Sequence, residues 1–188
     1  VRQRAGLFDV SHMGEFKVEG AGALACLQYA VTNNVAKLEV GQALYTVMCE
    51  EGGGIVDDLI IYKDGENTFF VVVNASRIEA DYAHLTSLAQ DFDCSVENVS
   101  EDYALVALQG PRAFDILGRV CAEDFSAAKP FTFAFGTVAG VSDVRIALTG
   151  YTGEPGVELY VASSVAPKLW SGLMEAGAPD GLGPCGLG

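Results

Sequence analysis

The sequence predicts an α+β fold made of duplicated, antiparallel β-rich subdomains with flanking helices. Three observations predict it: one pattern of apolar segments occurs twice, strand-like segments are grouped between helices, and short turns containing glycine join them. The strict strand–helix alternation of a doubly wound parallel sheet does not occur in the sequence. We place the repeat units at about residues 15–90 and 103–176, within one domain that spans residues 1–188.

The first repeat unit opens with a strand at residues 15–19, followed by Gly20 and a helix. Leu24, Leu27 and Val31 recur at spacings of three and four, which is typical of a helix lying on a core. The next strand-like segments are residues 44–49, 55–62 and 69–73. The closing helix is predicted to start at Ser76, because Ser76 and Glu79 have the spacing of a capping box.

The second repeat unit has the same order. A strand at residues 103–108 precedes Gly110 and a helix that carries Phe114, Leu117 and Cys121 at helical spacing. Strand-like segments follow at residues 131–138, 144–148 and 157–161, before a closing helix that carries Leu169 and Leu173. The agreement between the two halves predicts two similar subdomains.

Charge and composition exclude several classes of function. Acidic residues number 25 against 11 basic ones, and a net charge of −14 repels nucleic acid and anionic membrane surfaces. Five widely spaced cysteines favour reduced thiols over a disulfide framework, and two histidines are too few for a histidine-rich metal site. We expect no metal, no nucleic acid and no membrane among the partners.

Two adjacent carboxylates in the strand at residues 55–62 form the first candidate site. Strand side chains alternate, so Asp57 and Asp58 face opposite ways, and Asp58 shares its face with Ile60 and Tyr62. A carboxylate among apolar side chains is paired, lies near a strand end, or is held there for function. Spacing alone leaves these three interpretations open.

Two further segments add polar groups. Val72 and Asn74 alternate onto one face of the next strand, so pairing of the two strands would give an apolar floor with polar edges, suited to a flat heteroaromatic ring. Residues 52–54, a run of three glycines, lack a phosphate-loop pattern and predict a hairpin turn. Residues 149–158 predict another turn, which carries Tyr151 and ends at Glu158.

Taken together, these segments resemble the T-protein family of the glycine cleavage system, the aminomethyltransferases. The matching segments are residues 6–13, 53–62, 72–75, 108–111, 149–158 and 184–188. The resemblance implies the aminomethyltransferase folate-binding fold, with two swapped, duplicated subdomains. It also implies transfer of a one-carbon unit from the aminomethyl-dihydrolipoyl arm of the lipoylated H-protein to tetrahydrofolate, the co-substrate. The products would be ammonia and 5,10-methylenetetrahydrofolate.

The resemblance also implies the residues of the site. The family's folate contacts correspond to Met13, Tyr45, Asp58, Ile60, Tyr62, Val72, Asn74, Tyr151 and Glu158. Asp58 corresponds to the family's catalytic acid, which lies near the reacting folate nitrogens. Asp57, which faces the other way, is expected to affect stability more than rate.

The resemblance further implies that the domain is incomplete at both ends and lacks a downstream arginine and a later β-barrel domain. We therefore expect these residues alone to be inactive. The alternatives are the folate-binding domain of a dimethylglycine or sarcosine oxidoreductase, and a non-enzymatic folate-binding protein of iron–sulfur assembly. We expect a cytoplasmic protein in a bacterium, or a mitochondrial matrix protein in a eukaryote.

Overall fold

A computed structural model describes residues 1–125 and 127–186 and has an α+β fold, as predicted. The helices are α1 (Ala23–Ala30), α2 (Ile78–Ala89), α3 (Ala113–Val120) and α4 (Ala166–Gly177). The strands are β1 (Gly6–Asp9), β2 (Gly14–Glu19), β3 (Ala43–Cys49), β4 (Ile55–Gly65), β5 (Thr68–Val73), β6 (Ser95–Asn98), β7 (Tyr103–Gln109), β8 (Phe133–Val138), β9 (Val141–Ala147), β10 (Gly156–Ala162) and β11 (Gly183–Cys185). No helix of the described residues has both the length and the apolar character that crossing a membrane requires.

The chain divides into two compact units. The first unit is His12–Ser100, and the second unit is Val1–Ser11 together with Glu101–Gly188. Both units follow the predicted order of strand, helix, three strands and helix. The assignment of residues 1–188 to one domain that is incomplete at both ends stays a prediction.

The sheet of the first unit has the strand order β3-β4-β5-β2-β6, with every neighbouring pair antiparallel. Alternate side chains of its strands are buried beneath α1 and α2, among them Phe16, Leu59, Ile61 and Val71. The alternation leaves the remaining side chains of β2, β3, β4 and β5 on the opposite face. This opposite face of the first sheet carries most of the predicted site residues.

The sheet of the second unit has the strand order β11-β1-β7-β10-β9-β8. β1 comes from the start of the chain but pairs antiparallel with β7, which is the exchange of a strand that the resemblance implied. β1 also pairs with β11 in parallel, the exception in an otherwise antiparallel sheet. The predicted segment 184–188 ends outside the described residues.

Equivalent glycines end the opening strand of each unit. Gly20 has φ +130° and Gly110 has φ +131°, a conformation that residues with side chains rarely adopt. A Cβ at Gly20 would lie 2.5 Å from the carbonyl oxygen of Asp93, and one at Gly110 would lie 2.5 Å from that of Arg4. The two positions therefore require glycine, which explains why the repeat in the sequence includes them.

The predicted capping box at Ser76 is wrong. The backbone N–H of Arg77 donates to the carbonyl of Asn74 at 2.9 Å and closes a short 3₁₀ helix, Ala75–Arg77. α2 begins only at Ile78, without a side-chain cap. Ser76 therefore lies inside a turn, where its backbone cannot take the extended conformation of a capping residue.

The hairpin predicted at residues 52–54 is confirmed. Gly53 donates to the carbonyl of Glu50 at 2.9 Å, and Glu50 donates to that of Gly54 at 2.8 Å, between the antiparallel strands β3 and β4. β9 begins three residues earlier than predicted, because Ala139 and Gly140 both have positive φ and form a tight hairpin with β8. Alanine rarely adopts that conformation, so the sequence contained no signal that predicts this turn.

Candidate functional site

Strand register aligns the predicted site residues across the opposite face of the first sheet. Tyr45 on β3 pairs with Ile60 on β4, Ile60 pairs with Val72 on β5, and Val72 pairs with Glu15 on β2. Tyr62 lies two residues further along β4, on the same face, and is fully buried. Ile60 and Val72 form an apolar floor, and Tyr45, half exposed, lies at its edge.

Asp58 is the polar centre of this face. The hydroxyl of Tyr45 donates to Asp58 Oδ2 at 2.7 Å, and Asn74 Nδ2 donates to Asp58 Oδ1 at 3.1 Å. The Asp58 carboxylate is therefore held from both sides, with Tyr45 on β3 donating to one oxygen and Asn74, just past β5, donating to the other. The hydrogen bond to Asp58 raises the pKa of Tyr45, so the phenol keeps its proton and its role as a donor.

Asn74 lies just past the end of β5 and joins both aspartates. Its Nδ2 donates to Asp57 Oδ1 at 3.0 Å, and its backbone N–H donates to Asp57 Oδ2 at 3.1 Å. Asp57 and Asp58 do face opposite ways, since Asp57 is buried on the helix side and Asp58 is half buried on the other. An amide at the strand end reaches both, a connection that alternation alone did not suggest.

Asp81, on the first turn of α2, is a residue that sequence reasoning missed. It is fully buried, and its carboxyl lies within hydrogen-bonding reach of the Asp57 carboxyl. The available signal was its position three residues after Ile78 and four before Leu85, beside the buried stripe of the helix. In the part of the chain that the structure describes, no three His, Cys, Asp or Glu side chains are grouped as a metal site requires.

Met13 stands directly before β2 and is half buried. It is separated by one residue from Glu15, the end of the row that contains Val72 and Ile60. Its place in the site stays a prediction.

Glu15 is a second residue that the sequence analysis did not single out. It is 1% exposed, and neither carboxyl oxygen has a hydrogen-bond partner among residues 1–125 and 127–186. Burial raises the pKa of Glu15 to about 8, so the acid is uncharged at neutral pH. An ionised carboxylate at this position would be costly, and the proton removes that cost.

We expect the melting temperature of the full-length protein to fall as the pH rises from about 4.5 to about 8, because over this window the folded state keeps the Glu15 proton that the unfolded state has lost. Its pKa is raised from an ordinary 4.5 to about 8, so between these values the folded state binds more protons than the unfolded state. The stabilisation is complete below the unfolded pKa and is lost as the pH rises through about 8. Thermal melts of wild type and Glu15→Gln measure this effect, and the variant should show the smaller decline.

Glu19→Gln is the matched control for this prediction. Glu19 lies on the same strand and the same face, but its side chain is half exposed and forms an ion pair with Lys17 at 3.0 Å. The melting temperature of Glu19→Gln should fall with rising pH as much as that of the wild type does. If the melting temperature of Glu15→Gln fell as steeply as that of the wild type, Glu15 would not be the cause of the pH dependence.

Tyr151 and Glu158 belong to the second unit. Glu158 on β10 is 6% exposed and accepts a hydrogen bond from the Thr149 hydroxyl. Burial raises the pKa of Glu158, and the bond from Thr149 opposes that rise. Tyr151 is 55% exposed, and its ring lies edge-on to that of Phe8, with centroids 6.1 Å apart.

Gln109 fixes the turn that carries these two residues. Its buried amide donates to the carbonyls of Thr149 and Val157, both at 3.2 Å, and accepts from the Thr152 hydroxyl at 2.8 Å. Gly150 has φ +157°, and a Cβ there would lie 2.2 Å from the amide oxygen of Gln109. Residues 149–157 are thus tied to β7 at both ends, which gives Tyr151 and Glu158 defined positions within the second unit.

Comparison with known proteins assigns the family. Residues 1–188 match the GCVT N-terminal domain. The aminomethyltransferase of Bacillus pumilus (strain SAFR-032) is 50% identical over 188 residues, which are 100% of this chain and 52% of that protein. The aminomethyltransferase of Bacillus cereus (strain AH187) is 52% identical over 100% of this chain and 51% of its own. The chain thus spans about half the length of the curated relatives it matches.

Solved structures agree with this assignment. The glycine cleavage system aminomethyltransferase T of Bartonella henselae has a TM-score of 0.83 and 35% identity, over 92% of this chain and 46% of its own. The heterotetrameric sarcosine oxidase of Corynebacterium sp. U-96 has a TM-score of 0.73 at 16% identity, over 95% of this chain and 87% of the matched chain, which shows a shared fold alone. Because the family match extends over all 188 residues, the chain belongs to the GCVT N-terminal domain family.

Proposed function

We propose that the full-length protein is a tetrahydrofolate-dependent aminomethyltransferase of the glycine cleavage system. It would transfer the one-carbon unit from the aminomethyl-dihydrolipoyl arm of the H-protein to tetrahydrofolate, releasing ammonia and giving 5,10-methylenetetrahydrofolate. The observation that carries the proposal is the Tyr45–Asp58–Asn74 cluster beside the floor of Ile60 and Val72. Relatives about half identical to the chain and named aminomethyltransferase support it.

The floor and its polar edge suit a flat heterocycle. Ile60 and Val72 offer apolar contact to the face of a ring, while Asp58 offers a carboxylate already oriented by Tyr45 and Asn74. Tetrahydrofolate supplies the nitrogens that accept the one-carbon unit. The chemistry of these residues therefore supports tetrahydrofolate as the co-substrate.

Asp58 has the catalytic role in this proposal. Positive charge develops at the transferring carbon and its nitrogens as ammonia leaves, and a fixed carboxylate nearby stabilises that charge. Because Tyr45 and Asn74 already hold the carboxylate, little reorganisation is needed when the charge appears. The family resemblance also names Met13, Tyr62, Tyr151 and Glu158 as folate contacts, and we keep them as proposed contacts.

We also propose the macromolecular partner, the compartment and the extent of chain that the activity requires. The lipoylated H-protein is the macromolecular partner, and the cytoplasm or the mitochondrial matrix is the compartment. Since the chain spans about half the length of its relatives, we propose that residues 1–188 alone give little or no transfer. The only support for the oxidoreductase alternative is the fold that the chain shares with the sarcosine oxidase. We have no observation that favours the iron–sulfur assembly alternative.

Calorimetric titration of the full-length protein with tetrahydrofolate tests the proposal. We expect saturable heat, because a ring can cover the apolar floor while its nitrogens meet Asp58. The control ligand is p-aminobenzoylglutamate, which lacks the fused ring and should bind much more weakly. A folded protein that gives no heat with tetrahydrofolate would refute the proposed function.

A further inference from the structure

The carboxyl group of Asp81 is buried beside a second acid and lacks an ordinary partner. Its side chain is 0% exposed, and no N–H or hydroxyl group of the described residues donates to either of its oxygens. The acid that interacts with it is Asp57, which is 8% exposed. Two buried carboxylates in contact repel each other strongly, so such a pair persists when one of them keeps its proton.

The charges around Asp81 are not sufficient to keep it ionised beside Asp57. Arg77, just before α2, favours the ionised form of Asp81, and so does the N-terminal end of the helix. Burial, followed by the contact with Asp57, outweighs them and raises the pKa of Asp81 to about 7. The other charged group joined to this network is Asp58, which Asn74 and Tyr45 hold on the far side.

The direction of each hydrogen bond follows from this protonation. An Asp81 that keeps its proton donates it to an oxygen of Asp57. Asp57 accepts from the backbone N–H and the Nδ2 of Asn74 at 3.1 and 3.0 Å, which fixes the rotation of the Asn74 amide. The same Nδ2 donates to Asp58 Oδ1 at 3.1 Å. The hydrogen bonds of Asn74 thus join Asp57 to Asp58, and a proton donated by Asp81 to Asp57 would extend this chain to Asp81.

We propose that Asp81 is a positioning residue, whose protonated carboxyl holds Asp57 and Asn74 in the orientation that aims the Asp58 carboxylate at its substrate. The proposal rests on the proposed function for the role of Asp58. Asp81 does not touch the substrate and acts only through its neighbours. Loss of its proton places two carboxylates in contact, and relief of their repulsion turns Asp57 away from the Asn74 amide.

Two substitutions of Asp81 in the full-length protein separate this role from simple packing. Asp81→Asn keeps the shape and an N–H donor toward Asp57 but cannot lose a proton. It should keep turnover near that of the wild type at about pH 7. Asp81→Leu fills similar space without a donor and should lower turnover about tenfold or more, because small displacements of a catalytic group cost at least that much.

The decisive measurement is ammonia release with aminomethylated H-protein and tetrahydrofolate, followed across pH with thermal melts at each point. As the pH rises through about 7, wild-type turnover should fall more steeply than that of Asp81→Asn, since only the wild type loses the proton of Asp81. A purely structural residue would change the melts and leave the two pH profiles parallel.

Asp91→Asn is the matched control, since Asp91 is an exposed carboxyl just past α2. Its profile should coincide with that of the wild type. Parallel profiles for wild type and Asp81→Asn would overturn the inference while leaving the proposed function intact. Absence of turnover in the wild type would instead count against the proposed function. If Asp81→Leu does not fold, the comparison of wild type with Asp81→Asn still decides.

Discussion

Asp58→Asn should lower the turnover of the full-length protein by ~10²–10³, with its melting temperature little changed. The amide keeps the size and shape of the carboxylate but removes the charge that stabilises a developing cation. Because Tyr45 and Asn74 would still contact the side chain, we expect the sheet to keep its structure. Ammonia release at saturating tetrahydrofolate measures the loss directly.

Asp57→Asn provides the comparison. Asp57 is buried on the helix side of the sheet and is connected to the site by two hydrogen bonds from Asn74. Its replacement should therefore lower the melting temperature and reduce turnover much less than Asp58→Asn does. An equal or larger loss of turnover at Asp57 would mean that the two aspartates are assigned to the wrong faces.

Asn74→Ala should weaken tetrahydrofolate binding and lower turnover, each by about tenfold or more, because the amide orients both carboxylates. Removal of Nδ2 also deprives the buried Asp57 of a charge-assisted hydrogen bond, which costs on the order of 1–3 kcal/mol of folding free energy. Urea unfolding gives the stability change, and calorimetry gives the affinity.

Asn34→Ala is the control for this substitution. Asn34 caps a short 3₁₀ helix by accepting from the backbone N–H of Ala36 at 3.1 Å. Its loss should lower stability slightly and leave folate affinity unchanged. If Asn74→Ala bound tetrahydrofolate as tightly as this control, the amide would have no part in the site.

The shared face of the predicted site could be derived from sequence because strand alternation is a local property. Asp58, Ile60 and Tyr62 lie two residues apart, and Val72 and Asn74 repeat the pattern on the neighbouring strand, so antiparallel pairing was enough to bring them together. The glycines Gly20 and Gly110 signalled the repeat for an equally local reason, their positive φ.

Contacts between elements distant in sequence could not be derived in this way. The approach of Asp81 to Asp57 depends on how α2 lies against β4, and the link from Asn74 to both aspartates depends on a side chain beyond the strand end. Glu15 looked like any polar residue on a half-exposed strand until the structure showed it buried. The pairing of β1 with β7 joins segments about 100 residues apart and likewise leaves no local signal.

A crystal structure of the full-length protein with tetrahydrofolate bound tests the central claim most directly. The account predicts that the fused ring lies over Ile60 and Val72, with the Asp58 carboxylate about 3 Å from a ring nitrogen or within one water of it. Tyr45 and Asn74 should still hold that carboxylate, as they do here. A ring bound elsewhere, with Asp58 still paired to Tyr45 and open to solvent, would contradict the account.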